Sequence, residues 1–68
     1  MGILLIDDDK DLCDLLQDFL RREGFAVDAI HRFDAALWAA HRESTDMVVL
    51  DVGLPGINGF EALRLLRA

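Results

Sequence analysis

Cysteine, proline and tryptophan each occur once in these 68 residues, and tyrosine not at all. With Cys13 alone, no internal disulfide staples the chain, and a reducing compartment suits it. A disulfide between two copies is the lesser reading; the helical phase of Cys13, beside Leu12, fits core or flank equally well. Positive charge is also scarce. Seven Lys and Arg face 13 Asp and Glu, for a net charge of −6. Such a chain is poorly suited to phosphate backbones, which argues against direct nucleic-acid binding. The apolar runs are far shorter than a membrane span. Met1-Gly2 leads straight into an apolar run with no basic region or cleavage site, so an export signal is not expected. Ile6 occupies the position where a myristoylation signal wants Ser or Thr. The expectation is a soluble cytoplasmic protein without membrane contact.

Size sets a second limit. A chain this short buries only about 60% of its unfolded surface. Without a staple its core supplies roughly 3–5 kcal/mol. One domain over 1–68 is the upper bound, with no repeat, low-complexity tract or linker inside it.

What is present is an alternation of strand and helix signals. Ile3-Leu4-Leu5-Ile6 is apolar on both faces, as a central parallel strand is, and predicts a strand over 3–7. Asp9 is placed to cap a helix. Leu12, Leu15, Leu16, Phe19 and Leu20 then recur on one helical face. Arg21 and Arg22 suit the negative end of the helix dipole, and Gly24 suits a left-handed residue just past the helix end. In the next segment, 25–30, Phe25, Val27 and Ala29 share one face, which reads as a half-exposed edge strand. Asp34 caps a second helix to about Glu43, whose apolar residues Ala36, Leu37, Ala39 and Ala40 are mostly small. Ser44-Thr45-Asp46 is a connector, and Met47 to Asp51 a third strand. Gly53, Pro55, Gly56 and Gly59 mark a loop with special backbone demands. A third helix follows from Asn58 or Gly59, with Phe60, Leu63 and Leu66 on one face and Arg64 and Arg67 on another.

Short connections favour adjacent, right-handed βαβ units, hence an α/β fold with three parallel strands in the order 2-1-3 and three helices. Asp7, Asp8 and Asp51 then meet at the carboxyl edge of the sheet, where open α/β sheets bind ligands. Like charges ~4 Å apart repel by about 4 kcal/mol at an effective dielectric near 20. The cluster therefore calls for a bound cation or a proton held at raised pKa, with a divalent ion ranked first. The third strand is left with an uncovered, uncharged apolar edge, a liability that predicts partner strands from further chain or from another copy.

The other polar residues have plainer readings. His31 and His41 stand ten positions apart with no carboxylate or Cys at ligand spacing, so surface histidines are expected. Trp38 reads as helix packing. Arg21-Arg22 and the pair Arg64 and Arg67 read as solvated helix faces.

These residues together resemble the receiver domain of two-component response regulators. The resemblance is carried by the apolar strand ending in Asp7-Asp8, by Glu23-Gly24-Phe25, and by Asp34-Ala35-Ala36-Leu37. It continues in Asp46-Met47-Val48-Val49-Leu50-Asp51 and Leu54-Pro55-Gly56-Ile57-Asn58-Gly59. It implies the N-terminal portion of a flavodoxin-like (CheY-like) fold, whose full sheet order is 2-1-3-4-5. It implies Asp51 as the phosphoacceptor, with a sensor histidine kinase as donor. It also implies Mg²⁺ held directly by Asp8, Asp51 and the backbone carbonyl of Gly53, with Asp7 on a metal-bound water. The family is not a conventional enzyme, although it assists its own phosphorylation. The family's Ser or Thr at the end of the fourth strand and its Lys at the end of the fifth have no counterpart, and Lys10 in the first loop is the only lysine. Weak or absent phosphorylation of these 68 residues by themselves is therefore expected. The alternatives are a non-switching module that binds Mg²⁺ or dimerises through the third strand and, more weakly, a metal-dependent phosphatase.

Overall fold

In the computed structural model, residues 1–51, 64, 66 and 67 are described. The elements run β1 (Gly2–Ile6), α1 (Lys10–Arg22), β2 (Ala26–Ile30), α2 (Ala35–His41), a 3-10 turn (Arg42–Ser44) and β3 (Met47–Leu50). The sheet is parallel with the order β2-β1-β3, as expected. Among the described residues there are two α-helices; Arg64, Leu66 and Arg67 are also helical, within the span expected for a third. Gly53, Pro55, Gly56 and Gly59 lie outside the described residues.

The central strand carries the core because each of its faces is covered by different residues. Ile3 and Leu5 pack with Val27 and Cys13, joined by Leu16, Leu20, Phe25 and Ala29. On the opposite face Leu4 and Ile6 pack with Ile30, joined by Phe33, Leu37, Trp38, Val48, Leu50 and Leu66. Leu4 and Ile6 are wholly buried. The helix ends follow the expected chemistry. Asp9 Oδ1 accepts from the Leu12 N–H at 3.0 Å, and Asp34 Oδ1 from the Leu37 N–H at 2.7 Å. Gly24 has φ 94°, the left-handed conformation that closes α1.

Three details differ from the pattern reading. β1 is shifted by one residue, starting at Gly2 and ending before Asp7, and β2 and β3 are each one residue shorter, with Phe25 and Asp51 just outside them. Lys10 opens α1 rather than lying in the loop, and α2 stops at His41, the rest of its expected length being the 3-10 turn. The buried residues of the two helices are also partly different. In α1 the sheet-facing stripe is Cys13, Leu16 and Leu20, whereas Leu12, Leu15 and Phe19 are exposed. The exposed three lie about 100° around the helix from the buried three, at 3.6 residues per turn. In α2 the packing comes from Leu37 and Trp38, while Ala36, Ala39 and Ala40 are exposed.

The phase of α1 has a structural consequence. A right-handed crossover from β1 to β2 sets α1 over that pair of strands. With the helix antiparallel to them, the Leu12–Leu15–Phe19 flank turns towards β3. Met47 and Val49 pair in register with Ile3 and Leu5, so they share this face of the sheet. They are 47% and 46% exposed. The result is an apolar trough with a helix for its wall and an edge strand for its floor.

Two predictions follow from this packing. Leu5→Ala, on the face of β1 that α1 covers, costs roughly 2–5 kcal/mol, most of what so small a core supplies. Leu15→Ala, on the exposed flank, costs below ~1 kcal/mol. Urea unfolding followed by circular dichroism measures both, and equal costs would refute the phase of α1. The second prediction concerns Cys13, whose thiol is pushed above its ordinary 9.0 by burial, and further by the charges of Asp7, Asp9, Asp14 and Asp8. The folded thiol keeps its proton where the unfolded one has lost it. Its contribution to stability is therefore full below 9.0 and falls away as pH rises towards the folded value. Urea midpoints should drop in that alkaline window and drop less in Cys13→Ala; identical profiles would contradict the burial of the thiol.

Candidate functional site

The end of the sheet is where the acidic residues gather, because β1 and β3 run out in the same register. Ile6 pairs with Leu50, so each strand delivers its next residue to one edge. The Asp51 N–H donates to the Ile6 carbonyl at 2.9 Å and the Asp7 N–H to the Ile30 carbonyl at 3.1 Å. These bonds carry the ladder one residue past the strands and anchor two of the acids by their backbones. Carboxylate oxygens of Asp7, Asp8 and Asp51 lie within 4.8 Å of one another. Asp7 and Asp51 are half-buried and Asp8 is exposed. The structure thus brings together the three carboxylates singled out in the sequence; Gly53 falls outside the described residues.

Asp7 is held more firmly than a loop acid would be. Its Oδ1 accepts from the Asp9 N–H at 2.9 Å, which engages one of its two carboxylate oxygens. Its carbonyl accepts from His31 Nδ1 at 3.1 Å and from Cys13 Sγ at 3.6 Å. Asp9 is at the same time the cap of α1, so the positive end of that helix lies beside the acids and favours their charge. His31 was expected on the surface but is half-buried, and it reaches the site through the Asp7 backbone rather than as a ligand. No spacing in the sequence announces this contact. The only signal is that His31 directly follows β2 and so stands at the same edge. His41 is spent locally, its Nδ1 lying 2.8 Å from the Leu37 carbonyl. Arg21 is more than a solvated residue, since its guanidinium donates to the Val27 carbonyl at 2.8 Å.

The donor set fits a hard cation. All three groups offer oxygen, the element Mg²⁺ takes in octahedral sites that retain several waters. Ligand oxygens of such an ion stand about 2.9 Å apart when adjacent and about 4.1 Å when opposite, so a span of up to 4.8 Å suits an ion met partly through water.

Comparison with known proteins agrees with this geometry. Residues 3–68 match the response regulator receiver domain family. The chain is 40% identical over 65 residues to the regulatory protein VanRc of Enterococcus gallinarum, covering 96% of this chain and 28% of that protein. It is 44% identical over 66 residues to the DNA-binding response regulator MtrA of Mycolicibacterium smegmatis, covering 97% and 29%. Among solved structures, the response regulator TrrA of Thermotoga maritima, in complex with Mg(2+)-BeF, superposes with a TM-score of 0.77 at 31% identity, over 97% of this chain and 57% of that one. A receiver domain protein from Clostridium thermocellum shares the fold with a TM-score of 0.84 at 23% identity, over 97% and 54%. The chain therefore spans less than a third of these curated relatives and a little over half of these solved chains. No helix among the described residues is long and apolar enough to cross a membrane. With its family match, its sheet order and its acidic edge in agreement, the chain belongs to the response regulator receiver domain family.

Proposed function

We propose that this chain serves as a phosphoacceptor module in two-component signalling, with Asp51 as the accepting residue. The observation that carries the reading is the convergence of Asp7, Asp8 and Asp51 at one sheet edge. A carboxylate oxygen of Asp51 attacks the phosphorus of a phosphohistidine on a sensor histidine kinase. The new P–O bond gives an acyl phosphate as the N–P bond breaks and the histidine nitrogen leaves. Such transfer depends on positioning and on neutralising the charge of the equatorial oxygens. Mg²⁺, when bound, supplies that neutralisation. Asp8 and Asp51 would hold it directly, with the backbone carbonyl of Gly53, and Asp7 would hold one of its waters. The chain is not a conventional enzyme in this reading, since its substrate phosphoryl group ends on its own side chain. The cytoplasm, where Cys13 stays reduced, is the compartment that suits it.

A second partner is a further copy of this chain. The apolar trough and the uncharged edge of β3 lie side by side, and both favour association. Neither the membrane nor nucleic acid enters the proposal, in keeping with the net charge of −6.

Two measurements test these statements. Incubation with Mg²⁺ and acetyl phosphate, followed by intact mass, should show a small fraction gaining one phosphoryl group and none in Asp51→Asn. A gain that persists in Asp51→Asn would contradict the assignment. No gain despite calorimetric Mg²⁺ binding would favour a non-switching binding module, and steady phosphate release from varied monoesters a phosphatase. Light scattering should show self-association that rises with concentration and weakens in Phe19→Ser, at little cost to the monomer. A compact monomer at high concentration would count against the dimer.

A further inference from the structure

The Asp7 carbonyl has an unusual set of partners. Its ladder neighbour β2 ends at Ile30, whose carbonyl is already taken by the Asp7 N–H. Beyond that bond the Asp7 carbonyl draws its donors from side chains of two different elements. His31, the residue after β2, reaches it through Nδ1 at 3.1 Å, and Cys13, in the first turns of α1, through Sγ at 3.6 Å. A carbonyl can only accept, so His31 Nδ1 carries a proton. The peptide joining Asp7 to Asp8 is planar. Fixing its oxygen therefore also fixes the direction in which the chain enters Asp8. The Asp7 N–H, bonded to Ile30, and its Oδ1, bonded to the Asp9 N–H, hold the residue before this peptide, whereas the carbonyl is the group by which His31 and Cys13 hold the peptide itself.

We propose that His31, assisted by Cys13, is a positioning residue of the acidic cup. Its Nδ1–H clamps the Asp7–Asp8 peptide and so aims the Asp8 carboxylate at the place it shares with Asp7 and Asp51. The inference rests on reading that cup as a divalent-cation site. His31 is not a ligand; it stands one step behind the carboxylates and acts through a backbone oxygen. An imidazole fits the task because it is rigid and its Nδ1 lies close to its own backbone. Asn offers an N–H at a similar reach, whereas Phe keeps the ring and loses the donor.

The test combines calorimetry and NMR on the full 68-residue chain. Mg²⁺ is titrated into wild type, His31→Phe and His31→Asn, with circular dichroism reporting that each is folded. His31→Phe should weaken Mg²⁺ binding by about 10-fold, the scale of loss seen for groups that orient metal ligands. His31→Asn should stay within about 3-fold of wild type on the same argument. Without any substitution, a long-range ¹H–¹⁵N spectrum of the neutral imidazole should report the Nδ1–H tautomer. Wild-type affinity in His31→Phe, or an equal loss in His31→Asn, would overturn the proposal while leaving the cation site in place. An Nε2–H tautomer would overturn the clamp whether or not metal binds. A wild type that binds no Mg²⁺ would remove the cation site itself, and the proposal with it.

Discussion

The parallel register between β1 and β3 is the constraint on which everything else here depends. Side chains alternate along a strand, so a slip of one residue would send Asp51 to the other face of the sheet and expose Val48 and Leu50. Both ends of the pairing are pinned. At the amino end the Gly2 N–H donates to Asp46 Oδ2 at 2.7 Å and the Asp46 N–H to the Gly2 carbonyl at 2.8 Å. A Cβ at Gly2 would run into the Ser44 carbonyl, so the close approach requires glycine. At the carboxyl end the Asp51 N–H closes on Ile6. Between them Leu4 and Ile6 are wholly buried, which makes any other register expensive.

Stability and chemistry are thereby placed in different parts of a small molecule. The apolar side chains of β1 hold the sheet to its helices, and the acids begin with the first residue after the strand. Concentrated negative charge would weaken so modest a core if it lay within it. At the edge it is partly exposed to water and stands beside the positive end of α1. Asp9 joins the two regions, since its side chain caps the helix while its N–H holds Asp7. The site is thus braced by local backbone bonds, and its geometry does not rely on the long exposed flank of α1.

Much of this arrangement was legible in the residues. Ile3 to Ile6, apolar on both faces, read as a covered central strand, and Asp9, Asp34 and Gly24 marked helix boundaries by capping chemistry that acts locally. The convergence of Asp7, Asp8 and Asp51 followed from strand order alone. The phase of α1 was not legible. Leu12, Cys13, Leu15, Leu16, Phe19 and Leu20 make an apolar band too wide for one face to bury, and periodicity does not say which half turns inward. Packing against Ile3, Leu5 and Val27 selects the half that contains Cys13. In α2 the exposed alanines reflect helix propensity rather than burial, and Leu37 and Trp38 do the packing. His31 was hidden for a different reason. Its partner is a backbone carbonyl 24 positions away, and a main-chain acceptor leaves no mark on residue type.

The central claim is that three carboxylates form one cup for a hard divalent ion, and paramagnetic relaxation tests it most directly. Substoichiometric Mn²⁺ added to ¹⁵N-labelled protein should broaden the amides of Asp7, Asp8 and Asp51 first, and excess Mg²⁺ should restore them. Broadening spread evenly over the exposed acids of α1, Asp11, Asp14 and Asp18, with no preference for the sheet edge, would contradict the account.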